Sequence, residues 1–373
     1  MRIAYINPSQ IPSLTANSSQ VMKVCQAMAQ VKGPVCLWVP GGKKIPWLEL
    51  TERYGLVTPF EVRWVPVRPA YRNYDLSWIG VNQARAWNAS LIYTRSLQVA
   101  TVALIRRMPV ILEQHLRVTG FSAPWLFRFF LHRKGKKRLL VITQALRKIL
   151  EQEYGMVLKS DEVQVAPSGI DLERYADLPD AVTARKSLGY PENPTAAYTG
   201  NFYPGRGMDL LIKLAVSSPS VNFLWIGGRS EEVTAWQTKM NQEGIKNVIL
   251  TGFIGNQHLP QYQAAADVLL MPYERLITVS GGGNTGDICS PIKMFEYMAC
   301  HRPIISSDLP VLKEVLTPGN AFLCPPDDLP AWRNALTALL SDPLLRRKIS
   351  DQAYLDVQKY TWCNRAERAL AGF

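Results

Sequence analysis

Short runs of β-branched and other apolar residues recur along the chain, and between them apolar positions return every three or four residues. In the first half, "RIAYIN", "VCLWVP", "FEVRWVPV", "LIYTRS", "PVILEQH", "RLLVIT" and "VQVAPS" read as strands. Stretches such as "NSSQVMKVCQAMAQ", apolar at Val21, Met22, Val24, Cys25 and Met28, read as amphipathic helices between them. Strands buried on both faces and separated by helices predict a parallel sheet in an α/β layer structure. A polar, Pro-bearing segment, "SGIDLERYADLPDAVTARKSLGYPENP", interrupts the pattern, which then restarts. The second half offers "TAAYTGN", "VNFLWIGG", "NVILTGFI", "DVLLMPY", "RPIISSD" and "AFLCPP" as strands. The expected fold class is α/β, with two doubly wound, Rossmann-like parallel-sheet lobes facing a cleft. The first lobe is residues 1–168 and the second 169–358. A final helical pattern over 359–373, broken at Tyr360–Trp362, could pack on either. Ligands of open parallel sheets sit beyond the carboxyl ends of the strands, so the site is expected there.

Composition narrows this picture. The 373 residues suit two domains, and 47% hydrophobic against 19% charged residues suits globular cores. No apolar run is long enough for a membrane span, and "MRIAYINPSQ" lacks the apolar core of a secretory signal. The six Cys form neither a CxxC pair nor a metal-ligand spacing, which suggests a reduced, cytoplasmic chain with no metal site. The net charge of +12 is uneven: residues 1–170 hold 23 Lys+Arg against 9 Asp+Glu, and the rest 19 against 21. The first half therefore expects an anionic partner.

Candidate chemistry begins at "CSPIKMFEYMACHRPIISSDLP", residues 289–310. Ser290 before Pro291 predicts a helix start with Ser as the cap and Pro in the first turn. The loop before it carries Gly281, Gly282, Gly283 and Gly286, which would let backbone approach a ligand. A Gly-rich loop entering a helix N-terminus favours an anion. Ile292, Phe295, Met298 and Ala299 share one face, expected buried, while Lys293 and Glu296 share another. A surface ion pair is the plain alternative for those two. A second strand–loop–helix, "YTGNFYPGRGMDLLIK", places Gly205, Arg206 and Gly207 at a strand's carboxyl end, where a guanidinium suits a diphosphate. Neither a P-loop spacing nor GxGxxG is present.

At these residues the chain resembles the retaining, nucleotide-sugar-dependent glycosyltransferases of GT-B fold, group 1. The resemblance is most specific from "VAPSGIDLERY" through "YTGNFYPGRGMDLL" and "LLMPY" to "SPIKMFEYMACHRPIISSDLPVLKEVL". It also touches "ANSSQVMKVCQAMA", "VILEQH" and "LLVITQALRKIL". The resemblance implies a donor-binding second lobe, an acceptor-side first lobe and a last helix crossing back to the first. Arg206 would meet the donor diphosphate, with Asn201 and Gly205 beside it. Ser290, Pro291, Ile292 and Lys293 would form the phosphate-facing helix start, and Glu296 would bind the ribose. Gly252, Phe253 and Ile254 would read the base, and Gly227 and Gly228 would line the floor. His115 would stand near the transferred sugar. Many members carry two Glu separated by seven residues, but the position eight before Glu296 is Ile288. Asp287, one step off, is the candidate replacement.

The implied mechanism is front-face transfer with retention. Arg206, Lys293 and the helix N-terminus would stabilise leaving-group charge, so no divalent metal or other cofactor is expected. In "GFSAPWLFRFFLHRKGKKRLL", Trp125 and Phe129 precede Arg133, Lys134, Lys136 and Lys137, a mixture that fits a membrane interface or, more plainly, a core helix and a basic turn. Glu113 and Arg117 flank His115 on the acceptor side. No nucleic-acid module is recognisable. The expected activity is hexose transfer from a UDP- or GDP-type donor to a lipid, lipid-linked or polysaccharide acceptor at the inner face of the cell membrane. The alternatives are a soluble acidic or phosphorylated acceptor, or a catalytically silent nucleotide-sugar binder. An epimerase or phosphorylase on the same fold is a smaller possibility.

Overall fold

The structure, a computed structural model, describes residues 1–71, 74–155, 162–277 and 284–373. The chain packs as two compact units: residues 1–168 with 362–373, and residues 169–361. The first holds strands β1 (Ile3–Ile6), β2 (Val35–Pro40), β3 (Glu61–Val65), β4 (Leu91–Thr94), β5 (Val110–Gln114), β6 (Lys137–Val141) and β7 (Val163–Val165). All pair in parallel, in the order β3-β2-β1-β4-β5-β6-β7. The second holds β8 (Thr195–Thr199), β9 (Asn222–Ile226), β10 (Val248–Gly252), β11 (Val268–Met271), β12 (Ile304–Ser307) and β13 (Phe322–Cys324). Its order is β10-β9-β8-β11-β12-β13, again all parallel.

Each of the thirteen apolar runs read from the sequence became one of these strands, because each is long enough only for a strand and is flanked by turn residues. Strand burial follows position. Ile3–Ile6, in the middle of its sheet, is buried at every residue, whereas edge strand β3 leaves Glu61 exposed and pairs it with Arg63 at 2.7 Å. Both sheets reverse direction at one place, between β1 and β4 and between β8 and β11, and side chains at those carboxyl ends border a crevice by topology alone.

Helices start where the sequence supplies caps. Thr15 accepts from Ser18 N at the front of Ala16–Lys32, and Asp328, in the "PPDD" turn, accepts from Ala331 N ahead of Leu329–Ser341. Gly207 caps Met208–Val216 at φ +75°, and a Cβ there would lie 1.8 Å from the Pro272 carbonyl oxygen. No other residue fits that junction between the loops after β8 and β11. The final helix, Trp362–Leu370, packs in the first unit against Ala16–Lys32. Its Trp362 is buried, and Arg138 on β6 donates to the carbonyls of Ala369 and Ala371, both at 2.8 Å.

Candidate active site

In the second unit, the chain leaves β8 at Gly200 and turns through Asn201–Gly207 into Met208–Val216. Gly200 N donates to Ile226 O at 2.8 Å, and Gly227, at φ +123°, lies so close that a Cβ would be 2.4 Å from Gly200 O. Gly227 is bridged in turn to Gly252 at the end of β10. Three loops thus share one glycine-lined floor at the carboxyl edge of the sheet.

Two cations stand on this edge. Arg206 places its guanidinium 4.8 Å from the Tyr273 ring, just after β11. Lys293, in the first turn of Ile292–Ala299, places its Nζ 3.9 Å from the Tyr198 ring and 5.3 Å from that of Tyr273. A Cβ on Gly200 would lie 2.8 Å from that Nζ, so the amine rests on bare backbone. The Nζ is buried and has no hydrogen-bond partner among the described residues. Burial, reinforced by the Arg206 charge, holds the Lys293 pKa well below the usual lysine range, with Glu296 opposing. A buried amine without an acceptor is costly, and beside a guanidinium the group that would satisfy it is an anion. Tyr273 and Cys289 stay protonated, each pushed to about 12 by burial against the pull of Arg206.

The helix carrying Lys293 differs from its sequence reading in three respects. Pro291 occupies the cap position at φ −69°, ψ 131°, and the helix begins at Ile292, so the Ser290 side chain is not the N-cap. Pro291 itself takes the extended backbone of a cap residue, which moves the start one residue past the expected one. From Met294 to Ala299 the helix is buried on every side rather than on one face. The surface ion pair is absent as well: Glu296 is buried and its Oε2 accepts from Gln263 Nε2 at 3.3 Å. Gln263 is itself held by Tyr175, whose hydroxyl donates to Oε1 at 2.9 Å.

In the first unit, the carboxyl ends of β4 and β5 carry a second cluster. Glu113 is fully buried, and its Oε1 accepts from Arg365 Nη2 at 2.9 Å, from Arg95 Nη2 at 3.1 Å and from His115 Nε2. Its Oε2 accepts from the Tyr93 hydroxyl. Burial alone would raise the Glu113 pKa, but Arg365 and then Arg95 and His115 outweigh it and hold the carboxyl well below its usual range. Burial and Arg95 push His115 down to about 4 against the pull of Glu113, so the ring is neutral at pH 7. Arg95 Nη2 lies 3.2 Å from Nδ1 and closer still to Nε2, so Nε2 faces both that guanidinium and the Glu113 carboxylate. Both ring nitrogens are therefore engaged within the unit. Arg95 also donates to Asn17, whose Nδ2 reaches Ser9 Oγ at 2.7 Å.

Comparison with known proteins now adds to the geometry. Residues 193–342 match the family described as Glycosyl transferases group 1. That stretch of the second unit is similar to group 1 glycosyltransferases. Among curated relatives, the alpha-galactosylglucosyldiacylglycerol synthase of Streptococcus pneumoniae is 24% identical over 228 residues, 59% of this chain and 56% of that protein. The chain thus spans little more than half of that relative. The phosphatidyl-myo-inositol mannosyltransferase of Mycobacterium leprae is 23% identical over 97% of this chain and 93% of its own length. Among solved structures, Anabaena Alr3699/HepE in complex with UDP superposes with a TM-score of 0.75 at 18% identity, covering 99% of this chain and 98% of that one. The two Rossmann-like units are the GT-B fold.

Within the second unit, the structure brings together Arg206, Lys293, Gly227 and Gly252, with Asn201 half-buried alongside. The Asn201 carbonyl accepts from the Tyr198 hydroxyl at 2.8 Å. Phe253 is 49% exposed and Ile254 half-buried, just past Gly252. Three glycines do other work than admitting a ligand. Cβ atoms at Gly205 and Gly286 would lie 2.3 Å from the carbonyl oxygens of Leu276 and Arg275, and one at Gly228 would strike the Phe202 ring. They pack loop on loop. Gly281, Gly282 and Gly283 lie outside the described residues, and Asp287 is an exposed turn residue.

In the first unit, Arg117 is a surface residue 3.7 Å from Glu153. In helix Ala123–His132, Phe127 and Phe130 are core, Phe129 is half-buried under the Arg133 guanidinium, and Trp125 is 69% exposed. Lys134 and Lys136 are exposed, but Lys137 is not a free surface cation: its Nζ donates to the carbonyls of Phe130, Leu131 and Arg133 at 2.8, 2.6 and 2.7 Å. It closes the helix C-terminus. Sequence reasoning missed Arg95, Tyr93 and Arg365. "LIYTRS" does place Arg95 just past a strand, but nothing local marks Arg365. No helix among the described residues is long and apolar enough to cross a membrane, and none of their acidic, His or Cys groups forms a metal cluster.

Proposed function

We propose that the chain is a retaining glycosyltransferase that moves a hexose from a UDP- or GDP-type nucleotide sugar to a membrane-associated lipid, lipid-linked or polysaccharide acceptor. The observation that carries the donor half is the buried, unpartnered Lys293 Nζ beside Arg206 on a glycine floor. Diphosphate oxygens would satisfy both cations, and the same pair would take the charge that develops as the sugar–phosphate bond breaks. Ion pairing performs that task directly, so no divalent metal enters the mechanism. The Anabaena neighbour's complex with UDP supports a nucleotide donor; in this reading Gly252 and Phe253 would face the base and Glu296 the ribose.

The acceptor half rests on charge and exposure. The first unit holds 25 Lys+Arg against 10 Asp+Glu. Phe121 and Trp125, 96% and 69% exposed, adjoin the His115 edge of the sheet, with Lys134 and Lys136 past the far end of the same helix. Rings at headgroup depth with cations on anionic lipid suit a peripheral enzyme on the cytoplasmic face. The two relatives named for lipid products point the same way.

Calorimetry with UDP, GDP, ADP and CMP, on the intact chain and on Arg206→Ala and Glu296→Ala, tests the donor reading. One nucleotide should bind, more weakly in both variants; no binding by any of the four would end it. Co-sedimentation with anionic vesicles at low and moderate salt tests the acceptor reading, and no binding would favour a soluble acidic or phosphorylated acceptor. Turnover separates an enzyme from a silent binder.

A further inference from the structure

We propose that Arg365, on the last helix, is a positioning residue that acts through the Glu113 carboxylate to fix the orientation of the His115 ring. Glu113 is the single carboxylate in the ion pairs of this cluster among the described residues, and it meets four groups: Arg365, Arg95, His115 and Tyr93. Arg365, Arg95 and His115 meet at Oε1 and Tyr93 at Oε2, so the carboxylate is held at both oxygens and cannot turn. Arg365 is anchored independently. Its Nε donates to Pro167 O at 2.8 Å and its Nη1 to the Tyr93 hydroxyl at 3.3 Å, and its side chain is 3% exposed. The carboxylate is therefore held by a guanidinium that is itself held by backbone, and His115 docks on what remains.

Charge gives the same arrangement a second consequence. The charged groups facing the imidazole are Arg95 after β4, Glu113 on β5 and Arg365 on the last helix; Tyr5 on β1 and Tyr93 on β4 are phenols that burial keeps protonated. Two guanidiniums against one carboxylate leave a net positive charge beside the ring, which disfavours a third. Without Arg365 the balance is Arg95 against Glu113, and the imidazole can take a proton and reorient as a double donor.

The test is a pH titration of the histidine ring resonances by NMR on the full chain, which has four His, with His115→Gln assigning the signal. In the unsubstituted protein His115 should stay unprotonated down to about pH 4. In Arg365→Met its midpoint should rise, by less than the whole gap between about 4 and the ordinary 6.5 because burial and Arg95 remain, and in Arg365→Lys, which keeps the charge, it should stay low. His115 titrating near its ordinary 6.5 in the unsubstituted chain would overturn the proposal with no variant needed. So would a folded Arg365→Met whose midpoint does not move. The consequence for turnover rests on the proposed function: the acid limb of kcat/KM should shift by the same amount in Arg365→Met, with nucleotide affinity unchanged. The ring titration reads out without turnover, so failure of that function and failure of this inference are distinguishable.

Discussion

The two units build the same strand order and place buried cations at the same topological point, yet they treat those cations in opposite ways. In the first, Arg95 and Arg365 converge on a carboxylate, and the cluster is bonded inside the unit save for the buried Arg95 Nε, which has no partner among the described residues. In the second, Arg206 and Lys293 face aromatic rings and bare glycine backbone, and the nearby carboxylate of Glu296 is engaged by Gln263. The first cluster is a finished interaction that stabilises the fold. The second is unfinished, and its missing member is an anion from outside. Identical topology therefore fixes where charge is displayed, while the local acceptors decide whether it is structural or available.

The sharpest way to break this comparison is to remove the acceptor from the finished cluster. Glu113→Gln leaves two guanidiniums buried without a counter-charge, which typically costs about 3–5 kcal/mol. Denaturant unfolding of the isolated variant should show that loss, with little change in the affinity of the second unit for nucleotide. A cost under about 1 kcal/mol would mean that Glu113 is dispensable and that the first cluster is not structural. The unfinished cluster should respond with the opposite sign. Lys293→Met removes an unsatisfied amine, so the free protein should gain about 1–3 kcal/mol of stability. Loss of a charge-assisted bond to phosphate should weaken nucleotide binding roughly 10- to 150-fold. Arg206→Ala should weaken it by a similar factor without the gain in stability, because the buried group without a partner among the described residues is the Lys293 amine and not the Arg206 guanidinium.

Protonation sharpens the contrast further. Burial and Arg206 depress the Lys293 pKa in the free protein, so part of the population is neutral where an ordinary lysine would be charged. A bound diphosphate favours the ammonium form and raises that pKa, so binding takes up a proton between the two values and affinity falls as pH rises through that window. Titration calorimetry in two buffers of different ionisation enthalpy measures the uptake. It should vanish in Lys293→Met, and equal apparent enthalpies in both buffers would show that Lys293 is already charged.

How far the sequence anticipates all this depends on the range of the interaction. Strand positions follow from apolar runs a few residues long, so all thirteen were legible. Arg206 and Lys293 were legible as cations at strand and helix ends. Their shared partner Tyr273, and the glycine under Lys293, depend on three loops meeting. Glu113 reads locally as an acid flanking a histidine; only the fold shows that it is fully buried and that its partner lies 252 positions later, at Arg365. Ser290 is not the cap because Pro291 takes extended rather than helical backbone, so the helix begins one residue later than the Ser-Pro pair suggests. The glycines were recognised as sites of close approach, but sequence does not say whether ligand or neighbouring loop approaches, and at Gly205 and Gly286 it is the loop.

The smallest expected effect separates two kinds of cation within one basic run. Lys134 and Lys136 are exposed, whereas Lys137 spends its donors on three carbonyls at the end of Ala123–His132. A lysine near an anionic membrane surface contributes about 1 kcal/mol, roughly fivefold in partitioning. Lys134→Ala and Lys136→Ala should each reduce binding to phosphatidylglycerol vesicles by about that factor, more at low salt than at moderate salt, and leave the thermal midpoint unchanged. Lys137→Ala should do the reverse, lowering the midpoint through lost capping while changing vesicle binding less. If all three substitutions moved vesicle binding equally, the run would act as an undifferentiated charge, and the division between structural and available cations would not extend beyond the two buried clusters.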